Sequence, residues 1–172
     1  MTELVHESYL KGIISGLVNP RKYAVFGFLS LLIVVTWLSL DIQWGWLVEI
    51  QENDLYKQAS GIMLLALILQ QWRLGLRRLT GKDSTLALME NHKLFGCILP
   101  ILLLLHVRNF GVGYQQMLAV LMLLNCLFGI LNIEILQIRK PLFYNVWMAS
   151  HIGLAIVGLT LAFYHFYIVY LY

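Results

Sequence analysis

Charge is what this sequence has least of. Lysine, arginine, aspartate and glutamate make up 12% of its 172 residues, against 60% hydrophobic ones, whereas an ordinary soluble domain carries roughly 25% charged residues. The shortage excludes a soluble core of this size and leaves no stretch for a second, soluble domain. The chain reads as one integral membrane domain, with the lipid bilayer as its first partner. Cysteine is scarce too. Cys97 and Cys126 both fall in apolar runs, and neither belongs to a C-x-x-C pair, so a redox disulfide or a thiolate zinc site is not expected. Low-complexity segments and internal sequence repeats are lacking, as is any G-x-G-x-x-G motif. No small-residue cleavage pattern follows the first apolar run, so that run is expected to stay as a span.

The apolar runs themselves predict an all-α fold, a membrane-embedded bundle of about five transmembrane helices. The spans lie near residues 23–40, 59–76, 91–107, 115–136 and 146–172. Ahead of them, Val5, Tyr9 and Ile13 recur on one helical face and Glu3, Glu7 and Lys11 on another. That pattern predicts a short interfacial helix within residues 1–22, ended by Asn19-Pro20. His6 stands alone there and reads as a solvated surface residue. Residues 41–58 read as an acidic loop, with Trp44 and Trp46 suited to a membrane interface. Gly111 and Gly113 predict a tight turn after the third span, Pro100 a kink within it, and Asn125 an interhelical hydrogen bond.

Charge placement gives the orientation. Arg73, Arg77, Arg78, Lys82 and Lys93 cluster after the second span, and Arg139 and Lys140 after the fourth, while the loop after the first span is acidic. The positive-inside rule puts the N-terminus in the cytoplasm and the C-terminus in the periplasm, with a bacterial inner membrane as the expected location. No nucleic-acid partner is expected.

Four histidines stand out against this background. His92 and His106 are fourteen positions apart, and so are His151 and His165. Fourteen residues rise about 21 Å and turn ~3.9 times, so the members of each pair face nearly the same way. The apolar stretch Leu94 to Leu105 is too short to cross a hydrocarbon core that needs ~20 residues, so His92 and His106 must lie in the span margins as neutral groups, which metal ligation ensures. One span separates the two helices, so they run in the same direction. His92 then lies level with His151, and His106 with His165. Each level offers two neutral imidazoles to one heme iron, giving two b-type hemes in all. Gly96 and Gly153 leave room for a flat macrocycle, and Leu99 and Gly158 lie midway between the levels. Arg108 is a candidate contact for heme propionates on the outer side, as are Lys93, Arg77, Arg78, Arg139 and Lys140 on the inner side, although all of these also serve as topology signals. A lone intramembrane histidine is commonly a packing or proton-relay residue. Two pairs of identical spacing on parallel spans favour ligation. A divalent-metal site is disfavoured, because no carboxylate or thiolate is spaced to complete one.

The run LTGKDSTLALMENHKLFGCILPILLLLH, followed two spans later by HIGLAIVGLTLAFYH, resembles the core of the ferric reductase-like transmembrane domain family. That family includes eukaryotic ferric reductases, the membrane half of NADPH oxidases, and the heme-binding membrane subunit of a bacterial periplasmic methionine sulfoxide reductase. The resemblance covers roughly residues 59–168. It implies that His92 and His151 ligate an inner heme and His106 and His165 an outer one. The sequence departs from the family in having five expected spans where members commonly have six. It also lacks the flavin- and nicotinamide-binding domain of the oxidases and eukaryotic reductases.

The leading expectation is therefore a di-heme b-type membrane cytochrome. It would carry electrons from a separate cytoplasmic-side donor, a flavoprotein or a quinol, to ferric iron, dioxygen or a periplasmic redox protein outside. No catalytic residue is assigned, and the sequence leaves open whether the chain catalyses a reduction or relays charge. One alternative is a heme-bearing membrane anchor of a quinol-linked oxidoreductase, with Gln70, Gln71 or Glu134 near a quinone. The other is a heme-free proton-coupled transporter, disfavoured by the absence of a repeat and by the small number of intramembrane carboxylates.

Overall fold

The computed structural model describes residues 20–82, 85–138 and 140–171, and the expected interfacial helix lies outside them. Every regular element among them is helical: α1 (Pro20–Ser39), α2 (Gly45–Glu52), α3 (Asp54–Leu79), α4 (Leu86–His106), α5 (Tyr114–Ile130), α6 (Ile133–Leu136) and α7 (Pro141–Leu171). Four of these, α1, α3, α4 and α7, are long and apolar enough to cross a membrane, and α5 is a shorter apolar helix of 17 residues.

Local chemistry sets the boundaries. Pro20 and Pro141 open α1 and α7, where a missing N–H costs nothing and the fixed φ suits the first turn. Asn53 Oδ1 accepts from the Tyr56 N–H and starts α3 at Asp54, five residues before the expected span. Thr85 Oγ1 accepts from the Leu88 N–H and starts α4 at Leu86. The expected loop 41–58 is corrected in part. It contains α2, whose Leu47 and Gln51 share a face and are buried. The expected fourth span is shortened as well, since α5 stops at Ile130 and Asn132 Oδ1 accepts from the Ile135 N–H to begin the separate turn α6. Gly111 and Gly113 make the expected turn before α5, each at positive φ (69° and 61°), which favours glycine.

The core lies between α1, α3, α4 and α5. Val34, Leu31, Leu64, Leu99, Leu103 and Leu123 are among its buried side chains. α1 and α4 run parallel in constant register: Tyr23 Oη donates to Glu90 at 2.9 Å, and one helical stretch further on Ser30 Oγ donates to the Cys97 carbonyl at 2.8 Å. Pro100, one turn further along α4, lacks the N–H that the Gly96 carbonyl would otherwise accept. α4 continues through that proline to His106. Its last turn is held by α2 and α3. Gln51 Nε2 donates to the Leu104 and Val107 carbonyls at 2.8 and 3.1 Å, and Tyr56 Oη to the Leu105 carbonyl at 3.0 Å. These donors satisfy carbonyls that a helix end leaves without intrahelical partners. α7 differs from every other long helix. It packs on α5, and none of its described residues is buried.

Candidate functional site

The structure brings the four histidines together in two pairs. The His92 and His151 rings have centroids 6.2 Å apart and planes at 85°, and the His106 and His165 rings are 6.4 Å apart at 79°. Matching pairs at both ends of α4 and α7 require the two helices to run in the same direction. α5, between them in the chain, must then run back the other way.

The backbones of α4 and α7 nevertheless do not pack closely on one another, since α4 packs on α1, α3 and α5, and α7 on α5. On α7, His151, Ala155, Gly158, Ala162 and His165 follow one another at helical spacing, as His92, Gly96, Leu99, Leu103 and His106 do on α4, where Leu99 and Leu103 are buried. A methyl group built at Gly96, Gly153 or Gly158 would meet no atom within 4 Å. Ala155 and Ala162 escaped the sequence reading. Their signal was the alternating four- and three-residue step between the histidines, which marks one helix face.

Each ring has its own setting. Ser60 Oγ, on α3, lies 3.0 Å from His106 Nδ1. Gly61, next to it, seats the same ring: a Cβ there would lie 3.1 Å from His106 Cε1. Gly129, on α5, does so for His151, at 3.3 Å. The indole of Trp147 lies parallel to the His151 ring (2°, centroids 5.9 Å) and is fixed by donating to the Phe128 carbonyl at 2.7 Å. His151 Nδ1 is buried and makes no hydrogen bond of good geometry, although the Asn125 backbone is close by. Tyr114 Oη lies 3.4 Å from His165 Nδ1, a long contact. The Gln71 amide reaches His92. In the orientation that pairs donors with acceptors, its Nε2 donates to the His92 carbonyl (3.1 Å) and to His92 Nδ1 (2.6 Å), and its Oε1 accepts from the Gly96 N–H (3.0 Å).

The other expected residues fall as follows. Arg108 pairs with Glu52 at 2.9 Å and donates to Gln43 at 3.2 Å, so contact with a propionate requires it to leave these partners. Arg77 and Arg78 end α3, at the same end of the bundle as His92. The Asn125 Oδ1 is buried without a partner among the described residues, which corrects the expected interhelical bond for that atom. Arg139 lies outside the described residues, and Glu134 is placed on the short turn α6.

What can two facing imidazoles hold? A metal–imidazole bond of about 2 Å on each side, plus ~1.2 Å from nitrogen to ring centre, separates two ring centres by roughly 6.4 Å when an ion lies between them. Both pairs meet that requirement. Among the described residues no group of three or more His, Cys, Asp or Glu side chains gathers around a point. A protein-only zinc site needs three or four such ligands. Two imidazoles make a complete protein donor set where a macrocycle supplies the remaining positions, as in a heme with two histidine ligands. The donor set, the ring separations and the open surroundings of Gly96 and Gly158 fit a heme at each level. Comparison with protein-family models, with curated proteins and with solved structures gives no match.

Proposed function

We propose that the chain is a di-heme b-type membrane cytochrome that moves electrons across a bilayer. The observation that carries this reading is the pair of facing histidine couples, 6.2 and 6.4 Å between ring centres, at two levels of the same two helices. His92 and His151 would hold the inner heme, and His106 and His165 the outer one. Bound between two imidazoles, heme iron takes up and releases single electrons at a potential set by its ligands and burial. The chain's own residues hold the rings in place and keep the intervening space apolar, with Leu99, Leu103, Ala155, Gly158 and Ala162 between the levels.

The bilayer assignment rests on four helices of spanning length and composition. α5 supplies a fifth crossing, because α4 and α7 point the same way and the chain between them must return. At 17 residues it rises about 26 Å, close to the ~30 Å hydrocarbon thickness. Basic residues at the His92 end and acidic residues at the His106 end support a cytoplasmic N-terminus and a periplasmic C-terminus in a bacterial inner membrane. A cytochrome of the ferric reductase-like type would account for the same features, taking up electrons at the His92–His151 level. Outside, ferric iron, dioxygen or a periplasmic redox protein would accept them.

A second reading makes the chain a membrane anchor that takes electrons from quinol. The observation behind it is that Gln70, Gln71 and Asn91 lie beside His92 at the inner pair. Reconstitution into vesicles separates the alternatives. With ferricyanide outside, an internal water-soluble reductant should be oxidised only through chains carrying all four histidines. Reduction by a quinol analogue alone would favour the anchor reading. No charge transfer from either donor in heme-loaded vesicles rejects both.

A further inference from the structure

Two polar side chains of α3 reach the α4 histidines, and they meet them in opposite ways. Ser60 and Gln71 are eleven positions apart, close to three helical turns, so they share the face of α3 turned toward α4. Ser60 Oγ lies 2.7 Å from the Tyr56 carbonyl, 3.2 Å from the Lys57 carbonyl and 3.0 Å from His106 Nδ1. A hydroxyl has one proton to give. Two oxygens 2.7 Å apart need that proton between them, so the serine donates to Tyr56 and can only accept from His106. The ring proton of His106 then sits on Nδ1, and Nε2 keeps its lone pair for a metal.

At the other level the polarity reverses. With its amide satisfying the His92 carbonyl and the Gly96 N–H, Gln71 presents a donor to His92 Nδ1. A neutral ring that accepts at Nδ1 carries its proton on Nε2, the nitrogen that a metal would need. To free that nitrogen the amide must turn over and offer its oxygen to Nδ1–H, giving up its two backbone partners.

We infer that Ser60 and Gln71 are positioning residues that make the two levels unequal, with His106 held ready to ligate and His92 held in the other tautomer until the Gln71 amide turns. The inference rests on the heme reading above. Its test uses hemin as the probe, titrated by visible absorbance into full-length chains that keep one pair each. His151→Ala keeps the His106–His165 level, and His165→Ala keeps the His92–His151 level. In the first background, Ser60→Ala should weaken hemin binding by about 10- to 100-fold, the usual effect of losing an outer hydrogen-bond partner of a metal-bound histidine. Ser60→Thr, which retains the hydroxyl, should restore it. In the second background, Gln71→Leu should tighten binding about tenfold by removing the opposing donor. Gln71→Glu, which can only accept, should tighten it too. Unchanged affinity in Ser60→Ala, equal loss in Ser60→Ala and Ser60→Thr, or unchanged or weakened affinity in Gln71→Leu overturns the inference. Failure of the unsubstituted chain to bind hemin at either level defeats the cytochrome proposal itself.

Discussion

α4 and α7 carry the same histidine spacing and are held in the protein by quite different means. α4 is the most heavily packed helix. Cys97, Leu99, Pro100, Leu103 and Leu104 are buried, its middle takes a hydrogen bond from α1, and its end is held by Gln51 and Tyr56. α7 has the more apolar sequence and no buried residue among those described, and it packs mainly on α5, with Tyr170 Oη donating to the Gln58 carbonyl of α3 at 3.3 Å. Its side facing α4 bears small residues and two histidines. Apolar residues that pack on nothing in their own chain are expected at a lipid-facing surface. A face of histidine, alanine and glycine at one helical spacing is not explained that way. On the proposed reading, a heme at each level would lie between that face and α4.

The comparison can be broken most directly at the ligands. His106→Ala should remove about half of the bound heme while the His92–His151 level stays loaded, as read from absorbance per chain. Unchanged heme content would leave the pairing without support. Gly96→Leu probes the gap. A Cβ built there has no protein atom within 4 Å, so apo-protein stability should hold, or rise by as much as ~1 kcal/mol through better helix propensity. Heme at the adjacent His92 level should nonetheless be lost. Retention of both hemes would show that the open space beside Gly96 serves no ligand.

Substitutions away from the ligands sharpen the difference in how the helices are held. Gln51→Leu strips the donor from the carbonyls ending α4 and should cost about 1–3 kcal/mol, seen as a lower unfolding temperature in detergent. Thr160→Val on α7 removes only a local bond to the Ile156 carbonyl at an exposed position, and should stay within ~0.5 kcal/mol. Arg108→Ala should likewise change stability little. Its pair with Glu52 is exposed on both sides, and such pairs contribute at most ~1 kcal/mol. A shift in the potential of the outer heme in that variant would show that Arg108 leaves Glu52 for a propionate.

Long apolar runs and the histidine spacing were legible because both follow the helical period alone. The ends of the elements were not, since single caps decide them. Asn53 extends α3 backward, and Asn132 separates α6 from α5, and either asparagine could equally have been a loop residue. α2 was hidden by its acidic residues and tryptophans, although Leu47 and Gln51, one turn apart, marked its buried face. In the site, Gly96 and Gly153 were read from sequence as small residues beside a bulky group and Gly158 as the midpoint between two histidines; Gly153, two residues from His151, falls on another face of α7. Ala155 and Ala162 looked like ordinary membrane alanines until the facing helix gave them a position. Ser60 and Gln71 depend on the register of α3 against α4, which no local pattern encodes.

The central claim is that both histidine couples hold heme, and a count of hemes per chain tests it most directly. Full-length protein should be produced with ample hemin and its heme quantified from the visible spectrum of the reduced form against protein concentration. The account predicts about two low-spin hemes per chain, each held by two imidazoles. A preparation that folds as a helical membrane protein and takes up no heme would contradict it.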